Sequence, residues 1–321
     1  MKNLIFSVAT LLLVFSCQKD ETTTNYETKT DVTAKRSCAS NDVLAAQLLA
    51  DPSLATRMNE IEAFTQKTIA AGNLESRLVN GKIEIPVVVN VLYNSAASNL
   101  SLTQIQSQID VLNKDFNALN SDYNSFPSLF SSVKSNVGIS FVLDQVVRKS
   151  SSKSSWGTRD AMKKSKQGGI DPTSPSTKLN IWACTIGSGI LGYAQFPGGT
   201  LATDGVVIDS NYFGLSASSS YPYNLGRTAT HEVGHWMNLR HIWGDATCGN
   251  DLVSDTPVAS TANYGVPAFP KYSTCSGGNP EMTMNYMDYT DDRGMYMFTL
   301  GQKARIDAIF VAGGARAAFG I

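Results

Sequence analysis

All three histidines of the chain lie in one run of eleven residues that begins at His231 and ends at His241. His235 follows His231 by four positions, so on an α-helix the two side chains would lie about 40° apart on one face and could bind one ion. His241 could join them only if the helix ended first, because on a continuous helix it would lie about 15 Å further along. Asn238 stands where the chain must bend, and asparagine tolerates the left-handed conformation that a bend requires. The spacing therefore predicts a helix, a bend and a site of three imidazoles, the commonest metal-binding side chain.

Glu232 directly follows the first histidine and completes the pattern H-E-x-x-H. In that pattern two histidines on a helix bind zinc, and the glutamate acts as a general base toward a water on the metal. Such a short pattern also occurs by chance on surface helices, and His241 would then be unrelated to it. The third histidine at the right distance, with none elsewhere in the chain, favours the zinc site.

The run from His231 resembles the zinc signature of the metzincin metallopeptidases, H-E-x-x-H-x-x-G-x-x-H, and is most similar to its form in the pappalysin family. It departs from that pattern at Asn238, where the family has glycine. The resemblance implies an α+β or α/β fold, namely a metzincin-type catalytic domain of two subdomains. Its expected parts are a twisted mixed five-stranded sheet, an antiparallel edge strand, the zinc helix, and a loop-rich C-terminal subdomain with a Met-turn and a final helix.

A second stretch, Asn-Tyr-Met-Asp-Tyr at residues 285–289, resembles the pappalysin Met-turn. The resemblance implies that Met287 packs as a soft apolar floor beneath the imidazoles. It also implies that Tyr289 points its hydroxyl toward the metal, where it could stabilise the oxyanion of the transition state. The alternative is a methionine-rich core segment with no part in the site.

Two further segments resemble parts of pappalysins that hold ligands. Gly192, Tyr193 and Ala194 resemble the edge strand on which these enzymes bind an extended substrate peptide. A later acidic segment, residues 251–257, resembles a region that helps to bind structural calcium. Asp251 and Thr256 are its expected oxygen ligands. A solvated acidic loop is the alternative for that segment.

The chain has five cysteines. Cys248 and Cys275 flank the acidic segment and are expected to form a disulfide in an oxidising compartment. Cys184 lies in a segment that alternates like a strand and is expected to be a buried free thiol. Cys38 lies upstream of the catalytic region, and in several metzincin zymogens a pro-segment thiolate blocks the fourth zinc position. The alternatives for Cys38 are a spare thiol or a disulfide with Cys184.

The fifth cysteine, Cys17, closes an N-terminal segment that is typical of export signals. A positive start precedes a short apolar core from Leu4 to Phe15. The run Val-Phe-Ser-Cys resembles a bacterial lipobox, whose cysteine is acylated, and an ordinary cleaved signal peptide is the alternative. We therefore expect an exported protein, either an outer-membrane or cell-surface lipoprotein or one secreted after processing, whose only contact with a membrane is the lipid anchor.

Lysine and arginine total 26 against 27 for aspartate and glutamate, so no excess of charge points to a nucleic-acid partner. The expected domains are a signal peptide with lipobox over 1–17, a disordered tether over 18–36, an inhibitory pro-segment over 37–80 and a metallopeptidase domain over 81–321. A monomer is expected.

Together these features predict a zinc metalloendopeptidase that is made as a zymogen, acts on proteins or peptides, and uses Glu232 to activate the attacking water. Structural calcium is expected beside the one catalytic zinc. Bacterial pappalysins tend to prefer a basic residue after the scissile bond, and Asp291 or Asp292 could supply the matching negative charge. Two alternatives remain open: a surface binding protein with a non-catalytic zinc site, and another zinc hydrolase such as an amidase.

Overall fold

The computed structural model describes residues 35–74, 82–215 and 221–319. The expected signal segment with Cys17 and nearly all of the expected tether lie outside these residues. Arg36, which the sequence assigns to the end of the tether, is instead only 2 % exposed. Groups of the catalytic domain bind its guanidinium, so the chain is already anchored one residue before the expected start of the pro-segment.

The secondary structure begins with two helices, continues with the strands and one helix of the sheet region, and becomes loop-rich after the fourth α-helix. In chain order the elements are α1 (Ser40–Ala50), α2 (Ser53–Ala71), β1 (Ile83–Tyr93), α3 (Leu102–Phe116), β2 (Lys134–Ser135), β3 (Ile139–Ser150), β4 (Leu179–Cys184), β5 (Gly192–Ala194), β6 (Val206–Asp209), α4 (Arg227–Trp236), β7 (Phe298–Thr299) and α5 (Leu300–Phe310).

The core is a five-stranded sheet with the strand order β3–β1–β4–β6–β5. Neighbouring strands run parallel except at one edge, where β5 pairs antiparallel with β6. Residues Val87 to Leu92 of β1 are at most 1 % exposed, as expected for a parallel strand that is covered on both faces. The expected mixed sheet with an antiparallel edge strand is confirmed.

Helix α3 covers the sheet with an apolar stripe. Its N-cap is Ser101, whose side chain accepts the Gln104 N–H at 3.1 Å. Ile105, Ile109 and Leu112 lie one or two helical turns apart and are at most 1 % exposed in the main core. This stripe is structural and takes no part in the site.

The expected pro-segment forms α1 and α2, and α2 packs on α5. Glu62 of α2 pairs with Arg305 of α5 through two hydrogen bonds of 2.9 and 2.8 Å. Arg57 adds a bond of 2.7 Å from its Nε to the Gly198 carbonyl. Helix α2 of the pro-segment is therefore held on the catalytic domain by contacts that involve none of the histidines.

The C-terminal part, after α4, is built mainly from loops. It closes with α5, whose start has a full capping box between Thr299 and Gln302. Strand β7 pairs antiparallel with β2 just before that helix. Among the residues that the structure describes, no helix combines the length and apolar character needed to cross a membrane.

Candidate metal centre

Helix α4 carries the first two histidines and ends at Trp236, one residue after His235. Asn238 then adopts φ +69°, which is the left-handed conformation predicted for it. The Leu239 N–H donates to the Gly234 carbonyl at 3.0 Å and closes the turn. This tight turn reverses the chain and brings His241 beside the histidines of the helix.

The three imidazoles converge through their Nε2 atoms. Those of His231 and His235 are 3.2 Å apart, as are those of His231 and His241, and the third pair is 3.0 Å apart. Cys38 joins them, since one ligand atom from each of the four residues lies within 4.8 Å of the others. The sequence predicted the three histidines as one site, and the structure brings them together.

A second set of contacts fixes the orientation of each imidazole. The Nδ1 atom of His231 bonds to the Tyr286 carbonyl at 2.7 Å, and that of His235 to the Leu239 carbonyl at 2.8 Å. His241 bonds through Nδ1 to the carboxylate of Asp245. Such partners set the tautomer that leaves Nε2 free for a metal. Asp245 was not predicted from the sequence, although its position four residues after His241 was a readable signal.

These donors fit a zinc ion. Tetrahedral zinc with Zn–N bonds of about 2.0–2.1 Å separates its ligand nitrogens by about 3.3 Å, close to the spacing observed here. Burial lowers the pKa of His231 well below its usual range and that of His235 to about 3, and the neighbouring imidazoles add to both shifts. The imidazoles of His231 and His235 are therefore neutral, which is the form that binds a metal.

Met287 packs against the zinc helix from below. A Cβ atom added at Gly234 would come within 2.4 Å of the Met287 sulfur, so only glycine permits this contact. Met287 is fully buried, and its N–H donates to the Asn285 side chain at 2.9 Å. The Met-turn segment thus lies where the resemblance implied, directly against the helix that carries His231 and His235.

Glu232 lies beside the imidazoles and is 1 % exposed. Burial raises the pKa of its carboxyl to about 7. Its Oε2 atom accepts the Ser40 hydroxyl at 2.9 Å and lies 3.2 Å from the Cys38 sulfur. Both contacts come from the pro-segment, so the proposed base is covered in this form of the chain.

The segment around Cys38 runs alongside the edge strand β5 in the same direction. Cys38 and Gly192 form an isolated parallel bridge. The Ala39 N–H donates to the Gly192 carbonyl at 3.0 Å, and the Leu191 N–H donates to the Ser37 carbonyl at 2.9 Å. The pro-segment therefore occupies the edge to which an extended peptide could add. Cys38 and Cys184 are both free thiols, and Cys184 is buried as expected.

Tyr289 also contacts the pro-segment. Its hydroxyl donates to the Cys38 carbonyl at 3.2 Å. Its ring lies edge-on to His241, with centroids 4.8 Å apart, while Trp243 stacks on His241 with centroids 4.3 Å apart. The hydroxyl therefore faces the position of a carbonyl oxygen next to the metal centre.

Arg36 fills a pocket beside this centre. Its guanidinium donates to Asp292 at 2.5 Å and to the Thr290 carbonyl at 3.2 Å. It also stacks over the Tyr223 ring, 4.8 Å from the centroid. Of the two aspartates predicted for a basic side chain, only Asp292 contacts Arg36 directly in the described structure, while Asp291 lies beside it at 7 % exposure. No role for Arg36 in the site was predicted from the sequence.

The three residues predicted on the edge strand differ in what they contribute. Gly192 and Ala194 offer backbone groups that the pro-segment uses. A Cβ atom at Gly192 would lie 3.0 Å from Glu232, so glycine keeps the strand close to the base. The Tyr193 side chain is fully buried and donates to Asp160 at 2.9 Å, so it supports the strand from the core.

The predicted disulfide between Cys248 and Cys275 is confirmed, and it encloses the acidic segment. Within it, the Thr256 hydroxyl donates to Asp251 at 2.7 Å, so the two expected calcium ligands are neighbours. Among the described residues, the cluster of Cys38 with the three histidines is the only candidate metal-binding group of histidine, cysteine and acidic side chains. Calcium therefore stays a prediction from the resemblance.

Known proteins with similar sequences are metalloproteases. The sequence model of Peptidase_M43, described as pregnancy-associated plasma protein-A, matches residues 180–311. Extracellular metalloprotease 1 of Coccidioides posadasii (strain C735) is 32 % identical over 261 residues, which cover 77 % of this chain and 85 % of that protein. An extracellular metalloprotease of Pyricularia oryzae is 33 % identical over 263 residues, covering 78 % and 81 %.

Two solved structures from Tannerella forsythia share the fold. Mature mirolysin, in complex with a cleaved peptide, matches with a TM-score of 0.72 and 43 % identity over 75 % of this chain and 96 % of that chain. A variant of promirolysin matches with a TM-score of 0.80 and 39 % identity over 89 % and 97 %. These likenesses confirm the expected fold class, and the match to the pro-form covers more of this chain.

Proposed function

Because the chain belongs to the Peptidase_M43 family and is a metalloendopeptidase, we propose that it is an exported zymogen that cuts proteins before basic residues, with Glu232 as its general base. The observation that carries this proposal is the convergence of three imidazoles beside a buried glutamate. The alternative, a surface binding protein with a non-catalytic zinc site, would not need Glu232.

His231, His235 and His241 would hold the zinc ion. When bound there, zinc supplies Lewis-acid polarisation of the scissile carbonyl and lowers the pKa of a water in its open position. The Asp245 carboxylate and the Tyr286 and Leu239 carbonyls keep the imidazoles oriented for this task.

Glu232 moves the proton. Its carboxylate takes a proton from the attacking water while the water oxygen bonds to the scissile carbon. As the carbon–nitrogen bond breaks, Glu232 gives that proton to the leaving amine. Tyr289 donates its hydroxyl to the oxyanion that forms on the carbonyl, in the place of its present bond to the Cys38 carbonyl.

The edge strand and the Arg36 pocket bind the substrate. The Gly192 carbonyl and the Ala194 N–H would pair with the backbone of an extended peptide once the pro-segment has left. Asp292 would then bind a lysine or arginine that follows the scissile bond, as it binds Arg36 in the zymogen. Asp291 would add to the negative charge around that pocket.

Cys38 keeps the zymogen latent. Its sulfur lies within 4.8 Å of an imidazole nitrogen of each histidine, so it would fill the fourth zinc position and exclude water. In the absence of metal, burial and the nearby Glu232 raise the pKa of the Cys38 thiol well above its usual range. Metal binding would therefore be needed to form the thiolate.

Export follows from the N-terminal segment and is in line with the relatives named extracellular. We propose acylation of Cys17, which would tether the zymogen to a membrane by lipid alone. Asp251 and Thr256 are proposed calcium ligands, to which the carbonyls of neighbouring residues would have to be added.

The central test compares the full chain with Glu232→Gln on a denatured protein substrate, with zinc assayed in both. We expect one zinc per chain in each, and a rate lower by at least about a hundredfold in the variant because a general base is lost. Glu84→Gln, a matched change on β1, should cleave normally. Zinc without cleavage in the unsubstituted chain, even after loss of the pro-segment, would contradict the proposal.

A further inference from the structure

Ser40, the first residue of α1, contacts two groups that the proposed reaction uses. It is fully buried. Its hydroxyl donates to Glu232 Oε2 at 2.9 Å and accepts the Ala194 N–H at 2.8 Å. The Ser40 side chain of the pro-segment thus forms hydrogen bonds with both the proposed base and a backbone N–H of the edge strand.

These contacts differ in kind from those of Cys38. The Cys38 sulfur lies 3.2 Å from Glu232, but a thiolate on a metal has no proton to donate to a carboxylate. The Ser40 hydroxyl keeps its proton whether or not a metal is bound to Cys38. Its bond to Glu232 therefore needs neither the metal nor a protonated thiol.

The backbone around Ser40 sets the position of its hydroxyl. The Ser37 carbonyl and the Ala39 N–H pair with Leu191 and Gly192 of the edge, at 2.9 and 3.0 Å. Helix α1 begins directly after this pairing, so the side chain of its first residue is fixed against β5. Because this pairing fixes the backbone just before Ser40, the contacts of its hydroxyl form only in this register of the pro-segment on β5.

We propose that Ser40 is a second latch of the zymogen, which acts on the catalytic base and the edge strand independently of the metal. The inference rests on the proposed function, because it takes Glu232 as the base. While the hydroxyl donates to Glu232, that carboxylate oxygen is not open to an attacking water. While it accepts from Ala194, that N–H is not available to a substrate carbonyl. If Ser40 withdrew alone, the Ala194 N–H would lose this acceptor in a buried site and Glu232 would be left with the Cys38 sulfur at 3.2 Å, which is costly.

The first test follows activation of the full chain with Ser40→Ala, Cys38→Ala, the double variant, and Ser37→Ala as a matched control. Ser37 binds the edge only through its carbonyl. We expect Ser40→Ala to shorten the lag before full activity by about tenfold, because two buried hydrogen bonds are lost. Cys38→Ala should keep part of its lag, and the double variant should lose it.

The final rate should be equal in all these variants, because the mature enzyme no longer contains the pro-segment. This readout separates a latch from a catalytic residue. A Ser40→Ala lag equal to that of Ser37→Ala would overturn the proposal. If no variant gained activity, the proposed protease function would fail instead.

The second test measures hydrogen exchange of the Ala194 amide in metal-free full chain, where no cleavage occurs and the metal link to Cys38 is absent. We expect exchange to be about tenfold faster in Ser40→Ala than in the unsubstituted chain or Ser37→Ala. Amides of β1 serve as an internal control for global unfolding. Equal Ala194 exchange in all three chains would overturn the latch whatever the activation experiment gave.

Discussion

Arg36 and Asp292 form a salt bridge in which both side chains are buried, at 1 % and 0 % exposure. The other carboxylate oxygen of Asp292 accepts the N–H groups of Leu225 and Arg227, at 2.8 and 3.3 Å. Arg227 is the first residue of α4. One carboxylate therefore binds a cation in the cleft and also the start of the helix that carries the metal-binding histidines.

We predict that Asp292→Asn weakens the preference for a basic residue after the scissile bond. The amide keeps one oxygen for the N–H groups of α4 but loses the charge that pairs with a lysine or arginine. The ratio of kcat/KM for matched peptides with arginine and norleucine at that position should fall by at least about tenfold.

Asp291→Asn is the matched control for this measurement. Asp291 lies next to the pair but makes no hydrogen bond to Arg36 in the described structure, so its removal should change the ratio much less. An unchanged ratio in Asp292→Asn would mean that Asp292 holds Arg36 in the zymogen without selecting substrates.

The parts of the site that the sequence predicted well are those fixed by local geometry. The i, i+4 histidines follow from the helix, and the conformation of Asn238 follows from the need to turn the chain before His241. The disulfide joins Cys248 and Cys275, which lie close together in the sequence. The Met-turn has a recognisable sequence pattern of its own.

The parts that the sequence did not reveal depend on distant contacts. Arg36 reaches Asp292 across 256 positions, and Ser40 reaches Glu232 across 192. Nothing in the local pattern around Arg36 distinguishes it from a charged residue of a solvated tether. Only the fold, which lays the pro-segment along β5, brings these groups to the cleft.

Asn238 allows a direct test of the bend. Its side-chain Nδ2 is buried without a hydrogen-bond partner, so glycine should replace it with little change in the free energy of unfolding and with zinc retained. Alanine should destabilise the chain by about 1–2 kcal/mol, because its Cβ crowds the left-handed conformation. Denaturant unfolding of both variants checks this. Alanine and glycine variants of equal stability would contradict the role given to the backbone.

Glu62 and Arg305 form a second anchor of the pro-segment, away from the metal centre. Arg305 is 1 % exposed, so Glu62→Gln would leave a buried cation with a weaker partner. We predict that amides of α2 exchange with solvent about tenfold faster in this variant and that the zymogen activates sooner. Glu60→Gln changes an exposed acid on the same helix and should have neither effect. Unchanged exchange would show that the pair of Glu62 and Arg305 does not hold α2 in place.

The disulfide should account for a measurable part of the stability. It joins residues separated by 27 positions. The chain-entropy estimate for a loop of this size is about 3 kcal/mol, so replacing both cysteines with serine should lower the free energy of unfolding by about that amount. A reductant should destabilise the unsubstituted chain and leave the double variant unaffected. Equal stability of the two chains without reductant would mean that the loop is ordered by other contacts.

Glu232 should make the stability of the metal-free zymogen depend on pH. Burial raises its pKa from 4.5 to about 7. A carboxyl with a raised pKa in the folded chain stabilises that chain fully below the unfolded value, and this contribution is lost as pH rises through the folded value. The free energy of unfolding of the unsubstituted chain, relative to Glu232→Gln, should therefore fall by up to about 3 kcal/mol between about pH 4 and about pH 8. Denaturant unfolding of both chains in a chelator measures this difference and cancels the contribution of the histidines. A flat difference would mean that folding does not raise the pKa of Glu232, and a difference that rises with pH would mean that folding lowers it.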